Sequence, residues 1–131
     1  MAKSRRDKPK TQLTEVELEL MTILWRLGVG TVRDVMAQLP AERQLAYTSV
    51  STMLRILEQK EILTSRKTGV SHVYVPTLSR AEYEASAVER LVSSVFDDVP
   101  EALVARLIEV KGMTPEALTR LKTMLDDRLK P

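Results

Sequence analysis

Within residues 45–61 the apolar side chains Val50, Met53, Leu54 and Leu57 recur at i, i+3, i+4 and i+7, which dictates a helix packed on a core along one side. The opposite side carries Thr48, Ser49, Ser51, Thr52 and Arg55. A merely solvated face fills with Glu and Lys, whereas Ser and Thr lower helix propensity. That loss is explained if the face must fit closely into a DNA major groove, where hydroxyls and one Arg meet base edges and phosphates. The plainer alternative is an amphipathic helix with a weak surface.

The flanks of this segment favour the first reading. Ahead of it, Thr31 is placed to cap a short helix with Val32, Val35, Met36 and Leu39 on its apolar side; Pro40 closes it, and residues 41–46 form a loop. Two helices joined by a short turn, the second polar on its outer face, predict a helix-turn-helix. Behind it, the β-rich runs 62–67 and 71–75 are separated by Thr68-Gly69-Val70, a hairpin signal. The predicted fold is therefore mainly α with a small β-hairpin: a winged helix-turn-helix over residues 13–78. Arg66 and Lys67 fall where a wing would approach a phosphate backbone, although basic hairpin residues also occur as plain surface.

The first helix is announced by Thr14 and Glu17, the spacing of a capping box, with Leu13 able to staple onto Leu18. Met21, Leu24 and Trp25 continue its apolar side. The predicted core is Leu18, Met21, Leu24, Val35, Val50, Leu54 and Leu57, with Trp25 read as core rather than as a stacking platform.

From Ser79 the pattern is helical throughout. Ser79 and Glu82 repeat the capping box, followed by Tyr83, Ala87, Leu91, Val92, Val95 and Phe96. Pro100 opens a second helix with Leu103, Val104, Leu107 and Ile108; Gly112 closes it. Thr114-Pro115 starts the last, with Leu118, Leu121, Met124, Leu125 and Leu129. Three wide apolar stripes on about fifty residues are hard to bury within one protomer. A homodimer formed through residues 79–131, with Leu103, Leu107, Ile108, Leu118, Leu121 and Leu125 at its seam, is the expected solution. It would set two winged helices side by side for a two-fold operator. The alternative is a helical tail folded back on its own winged helix.

Charge divides by position. Lys+Arg against Asp+Glu is 12 against 8 over residues 1–78 and 8 against 10 over 79–131, giving +4 and −2. The positive side thus coincides with the expected DNA-binding part. Residues 1–12 read as a basic arm with too few apolar residues to fold, either a solvated tail or a segment that tracks phosphates or a minor groove; the tail is the simpler reading. There is no Cys, hence no disulfide and no thiolate metal site. The charged amino terminus is unlike a signal peptide, and no apolar run approaches the roughly 18 residues of a membrane span. The expectation is a cytoplasmic protein without membrane insertion. His72 stands alone in the wing, and no phosphate loop or ligand cluster accompanies it, so neither an enzyme, a cofactor nor a metal is expected. A different class stays open: a winged helix serving as a protein-interaction module in a larger complex, against which the Ser/Thr face argues.

The ordered set Thr14-Glu15-x-Glu17-Leu18-x-x-Met21-x-x-Leu24-Trp25, Thr31-Val32-Arg33-Asp34-Val35 and Leu45-Ala46-Tyr47-Thr48-x-Val50-x-Thr52-Met53-Leu54-x-x-Leu57-Glu58-x-Lys60 resembles the penicillinase and methicillin-resistance repressors, the BlaI/MecI/CopY family. The likeness continues through Tyr74-x-Pro76, Ser79-Arg80-x-Glu82-Tyr83, Leu103-Val104 and Thr114-Pro115-Glu116. It implies a dimeric winged-helix repressor of a palindromic operator with TACA/TGTA half-sites. It also implies Gly where this chain has Glu61, suited to a left-handed helix end. The copper-sensing branch has a Cys-rich tail that this chain lacks. In the resistance repressors a membrane-bound sensor protease cuts an Asn-Phe bond in the helix before the last. The equivalent bond here joins Arg106 and Leu107, and Arg in place of a small polar residue puts the same protease specificity in doubt.

Overall fold

The computed structural model describes residues 12–131, in the order α1 (Glu15–Leu27), α2 (Val32–Ala37), α3 (Tyr47–Gln59), β1 (Leu63–Thr68), β2 (Ser71–Pro76), α4 (Arg80–Val95), α5 (Pro100–Lys111) and α6 (Pro115–Leu129). The basic arm lies outside the described residues except for Gln12. Helix α1 begins with the expected box: the Thr14 hydroxyl accepts the Glu17 amide at 3.1 Å, and the Glu17 carboxylate accepts the Thr14 amide at 2.9 Å. Thr31 and Asp34 form the same reciprocal pair at the start of α2.

Helix α3 ends in a left-handed turn. Glu61 takes φ 68°. The Ile62 amide donates to the Leu57 carbonyl at 3.0 Å, and the Glu61 amide to the Glu58 carbonyl at 2.9 Å. These two bonds are those of the Schellman cap, with Ile62 and Leu57 buried beside each other in sequence register. Glu61 therefore adopts the conformation for which Gly is suited.

The hairpin pairs Leu63 with Pro76 through to Thr68 with Ser71, antiparallel. Its loop is the two residues Gly69 and Val70, shorter than the expected three. Positive φ occurs only at the first of them, Gly69 at 64°, as a type II′ turn requires. A third segment joins the ribbon: Gly30 and Tyr74 exchange backbone bonds of 3.0 and 2.7 Å. A Cβ on Gly30 would stand 3.3–3.4 Å from side-chain carbons of Asp34, Leu24 and Leu27, so that approach is close fitting.

The core is Leu20, Met21, Ile23, Leu24, Val32, Val35, Val50, Leu54, Leu57, Ile62, Leu63 and Tyr74. Leu18, expected there, is only half-buried; the stripe of α1 that faces inward runs Glu17, Leu20, Met21, Leu24. Trp25 is also not central. It packs on the margin of the core, its indole N–H donating to the Leu78 carbonyl at 2.8 Å and its ring 5.8 Å from that of Tyr83.

The chain divides into two compact units between Val88 and Glu89, inside α4. The first turns of α4 thus cluster with the winged helix, where Tyr83 meets Trp25. In the second unit, Asp97 and Asp98 take φ 54° and 61° between α4 and α5, and Asp98 accepts the Ser93 hydroxyl at 2.8 Å. Gly112 ends α5 in the left-handed region, and Thr114 caps α6. None of α4, α5 and α6 contains a fully buried residue. No described helix is long and apolar enough to cross a membrane.

Candidate nucleic-acid interface

Because Val50, Leu54 and Leu57 are buried, the far side of α3 is fixed as the side bearing Thr48, Thr52 and Arg55, all exposed. Ser49 and Ser51, expected on that same face, are two residues apart and so fall on opposite flanks of it. Ser51 is half-buried and lines a groove between α3 and the wing, together with Arg55, Glu58 and His72. Ser49 is turned the other way.

The start of α3, like that of α5, has no side-chain cap. Its cap residue is Ala46, and no side chain accepts an amide hydrogen bond there. The first amides of the helix are left for an anion, which the helix dipole also favours. Next to them the Arg33 guanidinium lies 5.3 Å from the centroid of the Tyr47 ring. This cation–π contact holds a positive charge beside the open helix end. Sequence reading gave neither residue a role; an Ala at the capping position was the one local signal, since Arg33 reaches Tyr47 from another helix.

In the wing, Leu63 points into the core, so strand alternation puts Ser65 and Lys67 on that face and Thr64 and Arg66 on the other. Arg66 and Lys67 are both exposed but project from opposite faces, Arg66 opposite Val73 and Lys67 opposite His72. The Ser65 hydroxyl donates to Glu58 at 2.7 Å, binding the wing to α3. Burial, reinforced by the charge of Glu58, holds the Tyr74 hydroxyl above its ordinary pKa. At the wing tip Val70 is 96% exposed.

The charge of this part requires a correction. Over residues 13–78 Lys+Arg and Asp+Glu are 7 and 7, because 5 of the 12 cations and 1 of the 8 anions lie in residues 1–12. The winged helix itself is neutral, so the positive side read from the sequence is carried by residues 1–12.

Of the expected dimer residues, Leu103 and Leu121 are half-buried, and Leu107, Ile108, Leu118 and Leu125 are exposed, Leu125 at 55%. Arg106 is exposed within α5 and paired with Glu109 one turn on.

The family model described as penicillinase repressor matches residues 13–127. The penicillinase repressor of Bacillus licheniformis is 22% identical over 116 residues, 88% of this chain and 91% of that protein. The transcriptional regulator BlaI of Mycobacterium tuberculosis is 33% identical over 104 residues, 78% of this chain and 75% of its own length. Among solved structures, monomeric BlaI of Bacillus licheniformis in complex with the blaP half-operator is 28% identical and superposes with a TM-score of 0.47, covering 55% of this chain and 88% of that one.

Proposed function

This chain belongs to the penicillinase repressor family, a family of transcriptional repressors and not of enzymes, and from that premise we propose that it is a homodimer that represses transcription by covering a palindromic operator. The observation that carries the reading is the outward face of α3. Its Thr48, Thr52 and Arg55 are exposed on a helix whose other side is locked into the core, with the wing tied alongside through Ser65 and Glu58. Short hydroxyls and one Arg can approach base edges without the bulk of a Glu or Lys surface. The open amides at the start of α3, with Arg33 beside them, suit a phosphate.

Dimer formation is supported by the apolar stripes of α5 and α6. Leu107, Ile108, Leu118 and Leu125 are exposed in the single chain, which is an unfavourable end state for so many aliphatic groups. Two linked winged helices then hold two half-sites at once, and release follows from separating them. A cut between Arg106 and Leu107 by a membrane-bound sensor protease would do so. That bond lies inside α5, so the helix must open locally before a protease can grip it.

The test is to incubate the full chain with sheared DNA from its own cells, sequence what it retains, and inspect the shared motif. An inverted repeat with TACA/TGTA-like halves is expected. Retention without sequence preference would overturn the operator reading, and a single unrepeated motif would overturn the dimer on DNA.

A further inference from the structure

Helix α3 turns a row of side chains toward the wing. Tyr47, Ser51, Arg55 and Glu58, three or four residues apart, line a groove whose other wall is β2 with His72 and Tyr74. Arg33 enters it from the start of α2, and Val32 and Val70 add apolar surface. The groove encloses about 370 Å³, within the range of about 300–1,000 Å³ common to small-molecule sites.

Tyr74 is its withdrawn polar group. The residue is 4% exposed, yet its hydroxyl has no hydrogen-bond partner among the described residues. A buried phenol ordinarily finds one. Burial and Glu58 hold its pKa up, so it stays a donor. Arg33 and Arg55 form no salt bridge among the described residues, although Arg33 lies over the Tyr47 ring. Glu58 already accepts the Ser65 hydroxyl at 2.7 Å. One phenol and two guanidiniums thus face a single, already engaged carboxylate. A carboxylate or phosphate group answers that imbalance, because it only accepts and binds guanidinium through charge-assisted bonds. The two valines and the Tyr47 ring suit an apolar portion of the same molecule.

Resting on the reading of α3 as a DNA-binding helix, we propose that this groove binds a small organic anion, a carboxylate or phosphate ester with an apolar portion, and that its occupation displaces DNA. The shared element is Arg55. It is exposed on the outward side of α3, and turned into the groove it is withdrawn from base edges. Tyr74 separates a small molecule from the backbone of a duplex, since the small molecule reaches its hydroxyl whereas a duplex phosphate meets the exposed Arg55 first.

The experiment uses the full chain labelled with nitrogen-15 and phenyl phosphate as the probe, with inorganic phosphate at equal ionic strength as its control. Phenyl phosphate should shift the amide resonances of Tyr47, Ser51 and Tyr74 saturably. At constant ionic strength it should displace a fluorescent duplex that the chain retains, and inorganic phosphate should be at least about tenfold less effective, for want of a ring to bury. Tyr74→Phe removes one unpartnered oxygen. It should weaken the probe about tenfold or more, the worth of a hydrogen bond to a charged group, and leave duplex affinity and the thermal midpoint unchanged. Shifts that never saturate, or equal probe binding by Tyr74→Phe, overturn the site. Saturable binding that leaves the duplex in place overturns the displacement. A Tyr74→Phe variant that loses duplex affinity as much as probe affinity makes the groove a seat for the DNA backbone and overturns the small-anion proposal. If the chain retains its duplex and ignores the probe, this inference fails and the α3 reading stands; if it binds the probe through Tyr74 but no duplex, the α3 reading fails and the anion site stands.

Discussion

The ammonium of Lys60 lies 2.8 and 3.0 Å from the two carboxylate oxygens of Glu17, joining the carboxyl end of α3 to the first turn of α1. Glu17 is 6% exposed and also accepts the Thr14 amide, so one carboxylate completes the cap of α1 and anchors the end of α3. Ion pairs at the surface contribute little, but this one is largely withdrawn from water, and removing one partner strands the other.

Lys60→Met should therefore destabilise the chain by about 2–3 kcal/mol, measured by urea unfolding. Adding Glu17→Gln should recover part of that loss, since the amide does not need a cation. Equal stability of the single and double variants would show the pair to be uncoupled.

Acid should weaken the fold through the same residue. Burial is the largest single influence on Glu17 and raises its pKa, but the Lys60 hydrogen bond and charge and the Thr14 amide and hydroxyl together outweigh it, and the net shift is downward. A depressed carboxylate pKa adds stability above the unfolded value, for which the ordinary 4.5 serves, and that addition disappears as pH falls through the lower folded value. Unfolding midpoints taken downward from pH 6 should decline below about 4.5, and Glu17→Gln should remove part of the decline. A parallel decline in both proteins would assign it to other carboxylates.

Glu61→Gly should stabilise the chain. A non-Gly residue in the left-handed region costs about 1–2 kcal/mol, and the added freedom of Gly in the unfolded state takes back about 0.5–1. The net gain should be about 0.5–1 kcal/mol in chemical denaturation. Any loss would mean that the Glu61 side chain holds a contact worth more than the strain.

On DNA, Arg55→Ala should weaken operator binding by about 1–3 kcal/mol and relax base preference at one position of each half-site. Of Arg66→Ala and Lys67→Ala only one should weaken binding, because the two side chains leave opposite faces of β1. The double variant should lose no more affinity than the worse single one, with a salt slope smaller by about 1 per protomer. A comparable loss in each single variant would show that both cations reach phosphate, with the wing edge-on to the duplex.

Leu125→Asp places a charge in the proposed seam, where it has no partner. Sedimentation should show a monomer, and operator affinity should fall by about 10²–10⁴ as linkage between half-sites is lost. The thermal midpoint of the winged helix should barely move. An intact dimer would remove this face of α6 from the interface.

Much of this architecture was legible in the chain. Capping boxes at Thr14 and Ser79, the stripe of α3 and the Gly69 turn are local signals, each written within a few residues, and the structure has them. What was illegible depends on distant partners. Leu18 was assigned to the core for its hydrophobicity, while Glu17 takes the inward position because Lys60, 43 residues away, neutralises it. The bridge between Gly30 and Tyr74 has no local signature. At the candidate interface, the outward Thr48, Thr52 and Arg55 followed from periodicity, whereas Arg33 with Tyr47 depends on how α2 meets α3. The opposed faces of Arg66 and Lys67 could have been read from strand alternation alone.

The sequence holds a single tryptophan, and its indole N–H is engaged by the Leu78 carbonyl while its ring rests near Tyr83 at the start of α4. The chain thereby contains its own optical probe at the place where the winged helix passes into the helical region. Loosening of that junction would bring water to Trp25 and move its emission to longer wavelength, whereas events confined to the α3 face would leave the colour unchanged. Whether an inducer acts on the junction or farther along the chain can thus be distinguished by unlabelled fluorescence.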